Sequence, residues 1–143
     1  MKSLVAKRAR ITRVRSVQHL LAASAAAQAE AQLDTLESNQ AKLAMLRDSL
    51  SVPAGTTTGA VLQNRGQLAQ RLDSARSGLA DAIVAAKAQV EAKGAERLEA
   101  RQRQESAAKL DQRAAQALAE WTEARLSASF RPRFTRSSEQ KDN

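Results

Sequence analysis

A chain of 143 residues has the length of one domain, but only 2% of it is aromatic and its 43% hydrophobic content is inflated by 31 alanines. Such a composition lacks the large apolar groups that a thick globular core buries, and it points to an elongated coil. There is no cysteine, which excludes disulfides, thiolate metal sites and a cysteine nucleophile. The net charge of +8 is unevenly placed: residues 1–15 carry six Lys/Arg and no acid, residues 16–120 balance twelve against twelve, and residues 121–143 carry five against three.

The first fifteen residues, M-K-S-L-V-A-K-R-A-R-I-T-R-V-R, put Leu4, Ile11 and Val14 near one helical face, with Lys7, Arg8, Arg10 and Arg13 mostly around the other. A basic start before an alanine-rich run imitates a secretory signal or a mitochondrial presequence. Gln18 and His19 interrupt the would-be apolar core, and no segment approaches the roughly 18 apolar residues of a membrane span. The simpler expectation is a cytoplasmic helix with a basic face.

The apolar positions then run Val14, Val17 and Leu21, an alanine-rich stretch, and Leu33, Leu36, Leu43, Leu46 and Leu50. That spacing predicts a helix over about 4–50 with a near-heptad seam, interrupted at Asn39 and Gln40. Ser51 to Gly59, S-V-P-A-G-T-T-T-G, collects the helix breakers: Pro53 fixes its own φ and restrains Val52, Gly55 and Gly59 loosen the backbone, and the threonines are poor helix formers. It predicts a bend.

Beyond it, Val61 or Leu62, Leu68, Leu72, Ala75, Leu79, Ile83, Ala86 and Val90 continue at steps of three and four, predicting a second helix over about 60–128. Folding about Gly55 sets Leu50 against Val61, Leu36 against Ala75 and Leu21 against Val90. The charged stretch after Val90 offers Glu99/Arg103 and Glu105/Lys109 as exposed pairs one turn apart. Leu110, Ala114, Ala117 or Leu118, Trp121 and Ala124 carry the second helix well past the first, by about 30 Å at 1.5 Å per residue. Residues 131–143 read as a disordered basic tail. The expected architecture is therefore all-α, a single elongated antiparallel coiled-coil hairpin over 1–130 whose second helix is the longer.

No phosphate-cradling loop, metal-ligand pattern or nucleophile signature occurs, so an enzyme is not expected, nor a cofactor or a small-molecule substrate. His19 stands alone and is expected to be exposed or partly packed. Trp121, the only tryptophan, either seals the seam near the termini or anchors a partner. The six N-terminal cations suffice for weak, salt-sensitive contact with nucleic acid or an anionic membrane surface. Nucleic acid lacks aromatic stacking residues and a recognition motif here, and a membrane surface would meet only the narrow apolar face of Leu4, Val5, Ile11 and Val14 without an aromatic anchor, so the two stand level as alternatives.

The basic start, the bend near residue 55, the E-R-L-E-A-R-Q-R-Q-E segment and K-L-D-Q-R-A-A-Q-A-L-A-E-W before a basic tail together resemble the FliJ family of flagellar type III export proteins and their injectisome counterparts of the YscO type. The resemblance implies a small cytoplasmic coiled coil similar to the gamma stalk of rotary ATPases, peripherally associated with the inner membrane at the flagellar export apparatus. Its implied partners are the hexameric export ATPase with its stalk regulator, the cytoplasmic domain of the export gate, and export chaperones. On that resemblance Lys7, Arg8, Arg10 and Arg13 would meet the ATPase ring. Leu68, Leu72, Ala75 and Leu79 would meet the gate.

Overall fold

The structure, a computed structural model, describes residues 1–51 and 55–130; Val52, Pro53 and Ala54 of the expected bend and the expected basic tail at 131–143 lie outside them. Two helices account for the fold: α1 over Lys2–Ser49 and α2 over Gly59–Ser129, packed antiparallel as a hairpin with α2 the longer. Alanine, leucine and the long charged and amide side chains favour helix throughout both segments. α1 ends at Leu50, which keeps right-handed helical backbone; its N–H donates to the Arg47 carbonyl at 3.2 Å, and the Ser51 N–H donates to the Asp48 carbonyl at 3.1 Å. Thr58, in extended conformation, caps α2 by accepting a hydrogen bond from the Val61 N–H at 3.4 Å.

The seam follows an unbroken alternation of three and four residues. On α1 the positions turned towards α2 are Val5, Arg8, Thr12, Arg15, His19, Ala22, Ala26, Ala29, Leu33, Leu36, Gln40, Leu43, Arg47 and Leu50, all buried or half-buried. On α2 the run Arg65, Ala69, Leu72, Arg76, Leu79, Ile83, Ala86, Val90 and Lys93 resumes at Ala100, Gln104, Ala107, Asp111, Ala114 and Leu118, with the intervening heptad position, Arg97, exposed. A seam held to a seven-residue repeat imposes a left-handed supercoil. Only Ala26, Ala29 and Ile83 are buried among the described residues, and none of them completely, as a two-helix contact composed largely of alanine and polar side chains requires.

Two features differ from the sequence expectation. Val14, Val17, Leu21 and Leu46 are exposed on the outside of α1, because the heptad frame fixed by Leu33, Leu36, Leu43 and Leu50 runs back through alanine to His19, Arg15, Thr12 and Arg8 instead. Likewise Val61, Leu62, Leu68 and Ala75 lie outside the α2 seam.

The register differs as well. The Thr12 hydroxyl donates to the Ala107 carbonyl (3.4 Å), the Gln104 amide donates to the Ser16 hydroxyl (3.3 Å), and Arg47 pairs with Asp73 (3.1 Å). Paired residue numbers thus sum to about 120, whereas a fold about Gly55 gives about 111. The shift of about nine residues, some 13 Å at the helical rise, carries the first ten or so residues of α2 beyond the end of α1. It leaves a similar length, about 15 Å, projecting past Met1 at the other end. The single overhang expected at the C-terminal end is divided between the two poles.

His19 therefore sits in the seam, with its Nδ1 buried and without a hydrogen-bond partner. An unpaired buried polar atom costs about 1–3 kcal/mol. His19→Leu is thus expected to stabilise the hairpin and raise its melting temperature by about 3–8 °C, read by circular dichroism. An unchanged or lower transition would mean that His19 is solvated in solution.

Candidate functional site

The outer surface of α1 at its N-terminal end concentrates charge of one sign. Lys7, Arg10 and Arg13 are exposed, and no acid occurs on α1 before Glu30. Arg8, grouped with them on sequence grounds, is half-buried on the seam side. It lines, with Ile11, Arg15, Glu99 and Arg103, a groove of about 540 Å³ between the helices. By the register, residues 107–113 of α2 lie opposite and carry Lys109 and Arg113 with one acid, the half-buried Asp111, while the turns of α2 nearer the bend neutralise their own charges. Arg103 pairs with Glu99, Arg101 with Glu105 at 2.9 Å, and Lys93 with Glu96 at 3.2 Å. Glu105 takes Arg101 as its partner, not the expected Lys109. Such exposed pairs contribute a few tenths of a kcal/mol each and hold those α2 charges locally, so among the described residues no ion pair engages Lys7, Arg10 or Arg13.

At the opposite end, Leu68, Leu72, Ala75 and Leu79 divide by their place in the heptad. Leu72 and Leu79 are half-buried in the seam, whereas Leu68 is 48% exposed and Ala75 is exposed on the flank. The register places Leu46, also exposed, on that same flank beside Ala75. A short apolar strip thus borders the seam near the bend, with Arg47 and Asp73 paired on its other side.

No family model, curated protein or solved structure matches this chain.

Trp121 lies on the part of α2 that projects past Met1. It is 42% exposed, with the Arg125 guanidinium 5.2 Å from its ring centroid. A cation at that distance stacks favourably on indole, by about 0.5–1 kcal/mol at an exposed site. Trp121, Thr122, Arg125, Leu126 and Ser129 line one shallow surface hollow there. The tryptophan stands at the next seam step after Leu118, where the register has run past the end of α1. Among the described residues no group of His, Asp and Glu could hold a metal ion, and no helix is long and apolar enough to cross a membrane.

Sequence reading missed the exposed cluster Val14, Val17, Leu20 and Leu21, since it placed Val14, Val17 and Leu21 in the seam and left Leu20 unassigned. The signal that finds it is arithmetic. Stepping back by sevens from Leu50, Leu43 and Leu36 gives Ala29, Ala22, Arg15 and Arg8, and stepping back from Leu33 gives Ala26, His19, Thr12 and Val5. None of the four is reached.

Proposed function

We propose that this chain is a non-enzymatic cytoplasmic component of a flagellar-type (type III) protein export apparatus, a stalk-like coiled coil that links the export ATPase ring to the export gate and escorts export chaperones. One observation carries the reading. α2 has 71 residues, a rod of about 105 Å at the helical rise, with a cation-only helix face near one pole and an apolar strip about 60 Å away near the other. A lever with two chemically distinct ends suits a part that joins two machines. The resemblance of its sequence to FliJ-type proteins supplies the identity of those machines and the peripheral placement at the inner membrane.

The test is recovery of a purified hexameric export ATPase and of the gate's cytoplasmic domain on the immobilised chain. Replacing Lys7, Arg10 and Arg13 together by glutamine is expected to weaken ring binding by about tenfold or more at low salt, because long-range charge complementarity governs such encounters. Helicity should stay unchanged, since exposed charges contribute little to stability. Arg8 is kept in this variant, as its place at the seam would mix packing with charge. Ring binding indifferent both to the substitutions and to salt would make the basic pole incidental.

A further inference from the structure

The N-terminal part of α1 is inverted with respect to an ordinary amphipathic helix. Its inward positions are Arg8, Thr12, Arg15 and His19, while Val14, Val17, Leu20 and Leu21 stand on the outside, Leu20 67% and Leu21 65% exposed. These four residues are separated by three, three and one, which spreads them over the outer half of two helical turns. Directly N-terminal to them, on the same outer face, lie Lys7, Arg10 and Arg13. An apolar patch therefore adjoins a cationic one on a single convex helix surface, with α2 on the far side.

Whatever covers this face has to be apolar and anionic together. A second copy docked antiparallel by a two-fold axis through the aliphatic patch would pair the patches but lay Lys7, Arg10 and Arg13 against Gln28, Ala25 and Ala22 of the other copy, which offer them no anion. The chain's own residues 131–143 carry four basic residues against two acids and so offer no complementary charge. Nucleic acid satisfies the cations but leaves four aliphatic side chains without a use, and no aromatic residue lies there to stack on bases. A groove-seated acidic helix needs a concave site, and the face is convex. A bilayer with anionic headgroups fits both halves: the aliphatic patch enters the headgroup–acyl boundary while the Lys and Arg stems keep their charges among the phosphates.

We infer that the outer face of residues 4–21 is a membrane-surface site for anionic phospholipid, laying the N-terminal part of the rod on the bilayer with α2 turned away from it. The inference goes beyond the proposed role in export. Its test contains no protein partner, so a failure here leaves that role untouched.

The experiment is flotation of the full chain with vesicles of phosphatidylcholine alone and of equal parts phosphatidylcholine and phosphatidylglycerol. Binding is expected to be at least about tenfold stronger to the mixed vesicles. It should fall about tenfold or more both when Lys7, Arg10 and Arg13 become glutamine and when Val17, Leu20 and Leu21 become glutamine. Leu20→Trp in a Trp121→Phe background should shift its emission to the blue with mixed vesicles only. Equal binding to both vesicle types would overturn the inference, and so would the absence of an emission shift. If the cation variant loses binding and the aliphatic variant keeps it, the face is a simple polyanion contact of the kind nucleic acid makes. If the aliphatic variant changes only the mass seen by light scattering, a second copy covers the face.

Discussion

Replacing Ile83 by aspartate is expected to part the two helices and lower the melting temperature by about 20 °C or more, whereas the same change at Val84 leaves it within a few degrees of the parent. Ile83 is 6% exposed and is the only large aliphatic side chain buried to that degree among the described residues, while Val84 is 69% exposed one position further on. Removing the isoleucine side chain costs about 2–5 kcal/mol in lost burial and residual cavity. An unpaired carboxylate adds a desolvation cost of several kcal/mol more. The register brings Glu37 near position 83, and the cation one turn on, Lys87, is already paired with Glu37 at 3.7 Å. Repulsion therefore outweighs rescue. The sum is comparable to the whole stability of an ordinary domain, about 5–15 kcal/mol. Circular dichroism with heating reads the outcome, and Ile83→Ala should fall between the two. If Ile83→Asp melts with the parent, the seam described here does not hold the hairpin together in solution.

How far the fold was legible follows from where large side chains stand. The bend announces itself through Pro53, Gly55, Gly59 and three threonines, and the helix limits found, Ser49 and Gly59, lie within a residue of those expected. Leu33, Leu36, Leu43, Leu72, Leu79, Ile83 and Val90 read correctly as seam because each combines size with heptad position. The register did not follow. Between Ala22 and Ala31 the seam offers only methyl groups, which gain little from one alignment over its neighbours, so the estimate rested on an assumed tight turn at Gly55. The cross-helix contacts of Thr12, Ser16 and Arg47 set a different one, and no rule of apolar spacing anticipates polar pairs.

The partner surfaces were legible in part for a related reason. A cluster of six cations without an acid is visible in any composition count. Which of them faces outward depends on the heptad phase, and that phase turns Arg8 inward and leaves Lys7, Arg10 and Arg13 outside. Ranking seam positions by hydrophobicity alone placed Val14, Val17 and Leu21 inside and so concealed the aliphatic patch. Polar residues such as Arg15 can hold a seam position because the gap between two helices is open at its edges, letting a long stem pack while its charge reaches water.

The strip at Leu68 and Ala75 gives the second large effect. Leu68→Asp and Ala75→Asp are each expected to abolish binding to the export gate's cytoplasmic domain while leaving helicity within a few per cent of the parent, because both positions are exposed and exposed substitutions change stability by about 0.5 kcal/mol or less. A charge placed in an apolar contact must be desolvated when the partner docks, which costs enough to remove a micromolar affinity. Leu72 is the internal control, but aspartate is a poor choice there. Arg76 lies one turn further on and is in no ion pair among the described residues, so a carboxylate at 72 would find a cation and lose less than one at 83. Leu72→Ala is cleaner: it removes about 1–3 kcal/mol of half-buried contact, lowers the melting temperature, and preserves gate binding at temperatures where the hairpin remains folded. Calorimetric titration beside thermal melts separates the three variants. If all of them melt alike, the strip belongs to the core. If none alters gate binding, it is inert surface and the gate contact lies elsewhere on the rod.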